Sequence, residues 1–176
     1  NLSSVTKEVK LMLDPNADPF ANSDSSENLP PSLFGARDAT DLNWVQLLNS
    51  YSCTECGRCS SVCPANQTGK LLSPRKVMMD TRDRIEDIGN NKNEGKFLLG
   101  DYISNEELWA CTTCNACTDA CPINLDPMSI IVDLRRYLVM EQSSAPTELN
   151  NMFSNIENNG APWQFPAADR LKWIEE

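Results

Sequence analysis

Eight cysteines, set in two runs of the same spacing, are the residues of this sequence whose type and placement could do chemistry. Cys53–Pro64 reads CTECGRCSSVCP and Cys111–Pro122 reads CTTCNACTDACP; they align without gaps and agree at six of twelve positions, all four cysteines and the proline included. A cubane of iron and sulfide has four iron corners, each needing one thiolate. Three cysteines two residues apart lie on one tight winding of backbone, so their sulfurs converge on three corners, while the fourth, followed by Pro, is directed to a second cluster. The spacing therefore predicts two [4Fe–4S] clusters, one on Cys53, Cys56, Cys59 and Cys121, the other on Cys111, Cys114, Cys117 and Cys63. Pro64 and Pro122 would end helical continuation and turn the chain at this crossover. Gly57 and Asn115, each following the second cysteine of its motif, are types that tolerate positive φ. Amides there could point at cluster sulfides and raise the reduction potential.

Other uses of the cysteines fit less well. Zinc ribbons pair two CxxC units across a longer spacer, and a disulfide framework would need an exporting signal and gains little from such crowding. The sequence has no His, which excludes imidazole acid–base chemistry, Rieske ligation, His-bound haem and mixed Cys/His zinc sites for this chain. Arg58, Arg75, Arg82, Arg135 and Arg136 could offset cluster charge, but solvated helix faces or helix-dipole partners are the simpler reading. Trp44, Trp109 and Trp163 read as core or cluster-shielding residues. The sequon Asn66-Gln67-Thr68 is expected to be silent in a reducing compartment.

The composition is that of a globular domain, with 40% hydrophobic and 23% charged residues in 176. A formal charge of −10 makes nucleic acid and anionic membrane surfaces poor partners, because phosphate binding needs concentrated Lys and Arg. Two clusters on eight thiolates would add roughly −4 more. Solubility accounts for such acidity, and steering toward a basic face on a redox partner is the sharper alternative. No apolar run approaches the length of a membrane span. The chain begins at Asn1, not Met, so excision from a longer protein is expected.

The elements that must position the cysteines are helical. A short helix is expected over 4–13, then a Pro-, Asn- and Ser-rich extended connection over 14–39. Asp41 is expected to cap a helix carrying Leu42, Trp44, Val45, Leu47 and Leu48 into the first motif. Ser73-Pro74 supplies a cap and a first-turn proline for a helix over 75–88, stopped by Gly89. Ser104 and Glu107 form a capping box for the helix leading to the second motif. Asp126-Pro127 starts a helix running to Met140, with Ile130, Ile131, Leu134, Leu138 and Val139 at helical spacing. Thr147 should cap a last helix bearing Leu149, Met152, Phe153 and Ile156, ended by Gly160. The fold class is mostly α, divided as an N-terminal helix and linker (1–40), a two-cluster domain (41–146) and a C-terminal helix with a Pro-Trp connection (147–176).

The spacer between the motifs is too long and too helical for the compact hairpin-built bacterial ferredoxin. Cys53–Cys59, Leu72-Ser73-Pro74-Arg75, the second motif and Asn159-Gly160-Ala161-Pro162-Trp163 together resemble the α-helical ferredoxin domain of heterodisulfide reductase-type iron–sulfur subunits. Similar modules occur in the iron–sulfur subunits of anaerobic glycerol-3-phosphate dehydrogenase, lactate-utilisation proteins and glycolate oxidase, and more distantly in succinate dehydrogenase. The resemblance covers about residues 41–174; Ala161 stands where the family usually has Asn. It implies an electron relay within a longer Fe–S oxidoreductase. Expected partners are a fused Cys-Cys-Gly domain, a flavoprotein or a quinol-linked membrane subunit. The same resemblance implies a cytoplasmic place, any attachment to the inner membrane being made through parts outside this chain. The alternatives are a catalytic Fe–S protein acting on a disulfide, a 2-hydroxy acid or glycerol 3-phosphate, and a metal-stapled interaction module.

Overall fold

The computed structural model describes residues 13–15, 34–92, 95–165 and 167–174. It is helical, as expected; among those residues there is no strand, only an isolated bridge between Leu99 and Ile103. Most of the helix expected over 4–13, and residues 16–33 of the connection after it, lie outside the described residues. The chain divides into two compact units, Asn1–Glu141 and Gln142–Glu176.

In the first unit, helix α1 (Trp44–Ser52) begins at Asn43, whose side chain accepts the Val45 and Gln46 N–H groups at 3.0 Å, while Gln46 reaches back to the Asn43 N–H. Asp41, the expected cap, instead closes the preceding 3-10 turn Ala39–Asp41, where its carboxylate accepts the Arg37 and Asp38 N–H groups at 2.9 Å. Asn43 is the residue that an extended backbone leaves pointing at the free amides of the first turn.

Two four-residue helices, α2 (Arg58–Ser61) and α3 (Pro64–Gln67), follow, and then the long α4 (Pro74–Gly89), capped by Ser73 with Pro74 at its first position. Ser104 and Glu107 make the expected box for α5 (Asn105–Ala110). Helix α6 (Ala116–Asp119) lies in the second motif, and α7 (Pro127–Arg136) starts at Asp126, widening in its last turn, Tyr137–Glu141.

The core lies where α1, α4 and α7 pack together. Helix α4 turns Val77, Met78, Thr81 and Arg84 inward at helical spacing, and α7 turns Ile130, Ile131 and Leu134 inward; all are nearly inaccessible to water. The segment from Phe34 docks on this core: the Ala36 N–H donates to Asp133 O at 3.0 Å, and Asp38 meets the buried Arg84.

The structure extends the internal repeat beyond the cysteines. Each motif is entered from a helix (α1, α5) that ends one residue before its first cysteine, holds a four-residue helix (α2, α6), and is followed by a helix opened by a cap and Pro (Ser73-Pro74, Asp126-Pro127). The two halves differ in the stretch between, which in the first half is longer and holds α3. Helices α2 and α6 pack on each other, α2 also on α4, and α6 on α7.

The second unit holds α8 (Thr147–Asn159), ended by Gly160 at φ 62°, and a 3-10 segment, Ala167–Ile174. Thr147 is the first residue of α8 and not its cap; Pro146 precedes it without a side-chain bond. The apolar stripe expected on α8 is present but not buried, with Phe153 and Ile156 more than two-fifths exposed.

Candidate metal centres

The backbone of the two motifs repeats closely. Cys53 and Cys111 leave their helices with φ/ψ of −69°/118° and −70°/126°. Gly57 and Asn115 then take left-handed conformations, φ 79° and 65°, as their residue types allow, and start α2 and α6. Glu55 and Thr113 are also left-handed, at φ 58° and 53°, a pair no side-chain pattern reveals. For a β-branched residue such as Thr113 this is a rare conformation. Left-handed residues recurring in this way turn successive N–H groups toward one side, forming the concavities in which anions and iron–sulfur clusters sit. The Thr113 N–H accordingly approaches Cys111 Sγ at 3.4 Å.

Cys53, Cys56 and Cys59 line one cavity, and Cys117 and Cys121 from the other motif line it too. The cavity is open to solvent at its mouth, with Met78, Ile123 and Leu125 among its walls. Cys63, buried, is close enough to Cys111 for their charges to interact, as is Cys114. Each fourth cysteine is thus near thiols of the opposite motif. Among the described residues no three Cys, Asp or Glu side chains converge tightly enough to hold one ion. A ring of soft thiols around a larger shared space suits a cubane cluster, so the residues present fit the group.

The thiols differ in their surroundings. Burial pushes Cys117 up to about 11, with the charges of Cys111 and Asp126 adding to it. Burial likewise raises Cys59 and Cys111. Cys114 is held below the ordinary thiol value by the Ala116 N–H and the Thr112 hydroxyl. Thiols that hold their protons release them when a metal takes the proton's place.

The arginines divide by role. Arg135 donates to Leu108 O at 2.6 Å and to Cys111 O at 2.6 Å and lies over the Trp109 ring, so it closes the C-terminus of α5, a dipole partner as expected. Arg82 pairs with Glu55 of the first motif at 2.6 Å. Arg58 and Arg75 line the Cys53 cavity. The Ser73–Arg75 turn owes its place to Ser60, whose hydroxyl meets Ser73 Oγ at 2.7 Å and accepts the Arg75 N–H at 3.3 Å, tying α4 to the cysteine helix α2. Of the tryptophans only Trp109 is sheltered; Trp44 is 74% exposed and Trp163 48%, which corrects their reading as core or shielding residues.

The family described as 4Fe-4S dicluster domain matches residues 52–125, which contain both motifs. Residues 52–125 thus carry the 4Fe-4S dicluster domain, and the chain is similar to heterodisulfide reductase-type iron–sulfur subunits. In this family's ferredoxin domain two [4Fe–4S] clusters are the cofactors, and their work is electron transfer. The chain is 32% identical over 179 residues to the probable iron-sulfur-binding oxidoreductase FadF of Bacillus subtilis, covering 81% of this chain and 25% of that protein. It is 32% identical over 169 residues to the EtfAB:quinone oxidoreductase of Syntrophomonas wolfei, covering 81% and 24%. One of the subunits of a CoB-CoM heterodisulfide reductase of Methanosarcina acetivorans is 35% identical over 100 residues, 56% of this chain and 52% of that one. The chain thus spans about a quarter of the length of the first two. Among the described residues no helix is long and apolar enough to cross a membrane.

Proposed function

We propose that this chain is the electron-relay segment of a longer iron–sulfur oxidoreductase, with Cys53, Cys56, Cys59 and Cys121 ligating one [4Fe–4S] cluster and Cys111, Cys114, Cys117 and Cys63 the other. The observation that carries the reading is the cavity that three thiols of one motif share with Cys117 and Cys121 of the other. When bound, the clusters supply one-electron transfer and make or break no substrate bond. The chain's own residues hold and tune. The N–H groups of Thr113 and Ala116 offset sulfur charge in the second motif. Met78 and Leu125, both buried, restrict water at the inner wall of the first site. The crossing of Cys63 and Cys121 fastens the two halves of the repeat to each other.

Electrons would come from a flavoprotein or a quinol-linked membrane protein and pass to an acceptor site, such as a Cys-Cys-Gly domain, elsewhere in the whole protein. A relative named as a quinone oxidoreductase and another named as part of a heterodisulfide reductase support a place inside a larger redox assembly. A cytoplasmic position belongs to the same reading.

Anaerobically prepared protein should contain roughly eight irons and eight sulfides per chain and give EPR signals on reduction. Cys63→Ser should chiefly remove the signal of the cluster on Cys111, Cys114 and Cys117, although Cys63 lies in the first motif. A colourless zinc protein would end the relay reading. Loss of the other signal in Cys63→Ser would end the crossed ligand assignment.

A further inference from the structure

The two halves of the repeat carry different charge at corresponding positions. Where the first motif has Arg58, the second has Ala116; where α4 opens Ser73-Pro74-Arg75, α7 opens Asp126-Pro127-Met128. At all three places the first half is one charge more positive. Arg58 and Arg75 both line the cavity of Cys53, Cys56, Cys59 and Cys121. The Arg75 Nη1 lies 3.9 Å from where a side chain on Gly57 would begin, so the guanidinium sits beside the ligand loop. Neither arginine has an acidic partner among the described residues. The one acid of that motif, Glu55, is neutralised by Arg82.

The second site is different. Asp126 caps α7 and accepts the hydroxyl of Thr118, the neighbour of Cys117, while Leu125 and Pro127 on either side of it line the Cys53 cavity, so its charge bears on both centres. Arg135, the counterpart of Arg82, donates to the carbonyl oxygens of Leu108 and Cys111 and brings one positive charge to bear on the Cys111 thiol. The first site therefore has two cations with no acidic partner among the described residues, Arg58 and Arg75, and the second has one, Arg135. A reduced cluster carries one more negative charge than an oxidised one, and nearby positive charge stabilises it.

We infer that Arg75, with Arg58, sets the reduction potential of the Cys53 cluster above that of the Cys111 cluster, so that an electron arriving at either settles on the Cys53 half and leaves from there. Arg75 is a tuning residue and ligates nothing. The inference rests on the ligand reading above and goes beyond it, by giving the relay a direction.

The test is an EPR-monitored redox titration of the full chain with both clusters present. The signal belonging to the Cys53 set is first identified as the one lost in Cys121→Ser. In the wild type that signal should appear at the higher potential. In Arg75→Gln, at the potential that half-reduces the wild-type cluster, its reduced-to-oxidised ratio should fall about tenfold, a downward shift of about 59 mV, with the other signal unmoved. Arg75→Lys should restore most of it. Reduction of the Cys111 cluster first in the wild type overturns the inference, as does an unmoved midpoint in an Arg75→Gln protein with full iron content. Failure of the ligand reading shows separately, as missing iron or as loss of the wrong signal in the Cys63→Ser and Cys121→Ser proteins.

Discussion

At the residue scale, the most deeply buried charged side chain among the described residues is Arg84, 1% exposed, which no motif announced. Its Nε and Nη2 donate to the two carboxylate oxygens of Asp38 at 2.8 and 2.6 Å, and Asp38 also accepts the N–H groups of Ala39 and Leu98. Burial works against the charged Asp38, yet the Arg84 hydrogen bond and the two amides hold its carboxyl below the usual carboxylate value. The folded protein thus prefers ionised Asp38 more than the unfolded chain does. That preference stabilises the fold fully above the unfolded value and is lost as pH falls through the lowered folded one. Arg84→Met would strand the carboxylate, and should cost about 3–5 kcal/mol in denaturant unfolding at neutral pH. The deficit relative to wild type should shrink below about pH 4, where Asp38 takes up a proton. A deficit that is small at neutral pH, or constant with pH, would show that this pair does not anchor the segment.

At the scale of elements, the docking of the Phe34–Asp38 segment on α7 depends on one glycine. Gly35 has φ 84°, and a Cβ there would stand 2.3 Å from Asp133 O and 2.5 Å from Tyr137 N, both backbone atoms of the α7 region that cannot swing aside. Gly35→Ala combines left-handed strain with overpacking, so a loss of at least about 2 kcal/mol is expected. Thermal unfolding followed by circular dichroism measures it, and an unchanged midpoint would rule out the close approach. Gly57→Ala makes the contrast. Its nearest neighbour is the flexible end of Arg75 at 3.9 Å, so only the left-handed conformation opposes it.

At the scale of the whole molecule, the cysteine helices explain why cofactor and fold belong together. Helices α2 and α6 have four residues each, far below the length at which a helix holds itself, and no buried residue lies on α2. Thiolate–iron bonds spanning the two motifs would supply what packing there does not. Stripping iron with a chelator under reducing, anaerobic conditions should therefore lower the unfolding temperature and loosen the packing of α2 on α6, while α4 and α7, with their buried apolar faces, keep most of their helicity. Equal thermal stability of stripped and loaded protein would contradict this.

Ligand type, cluster class and mostly helical architecture could all be read from residue order, because each follows from short-range spacing: C-x2-C-x2-C, a serine or aspartate before proline, Ser104 with Glu107. The caps at Ser73, Ser104 and Asp126 lay where local rules put them, and those at Asp41 and Thr147 did not, since which residue ends up in extended backbone depends on how the preceding chain docks. Only the folded structure brought Cys121 to the Cys53 cavity wall, set Arg84 against Asp38 across the sequence, and placed Arg75 in the lining of that cavity. Those are long-range juxtapositions made by packing α1, α4 and α7 together, and packing distances are not written in neighbouring residues.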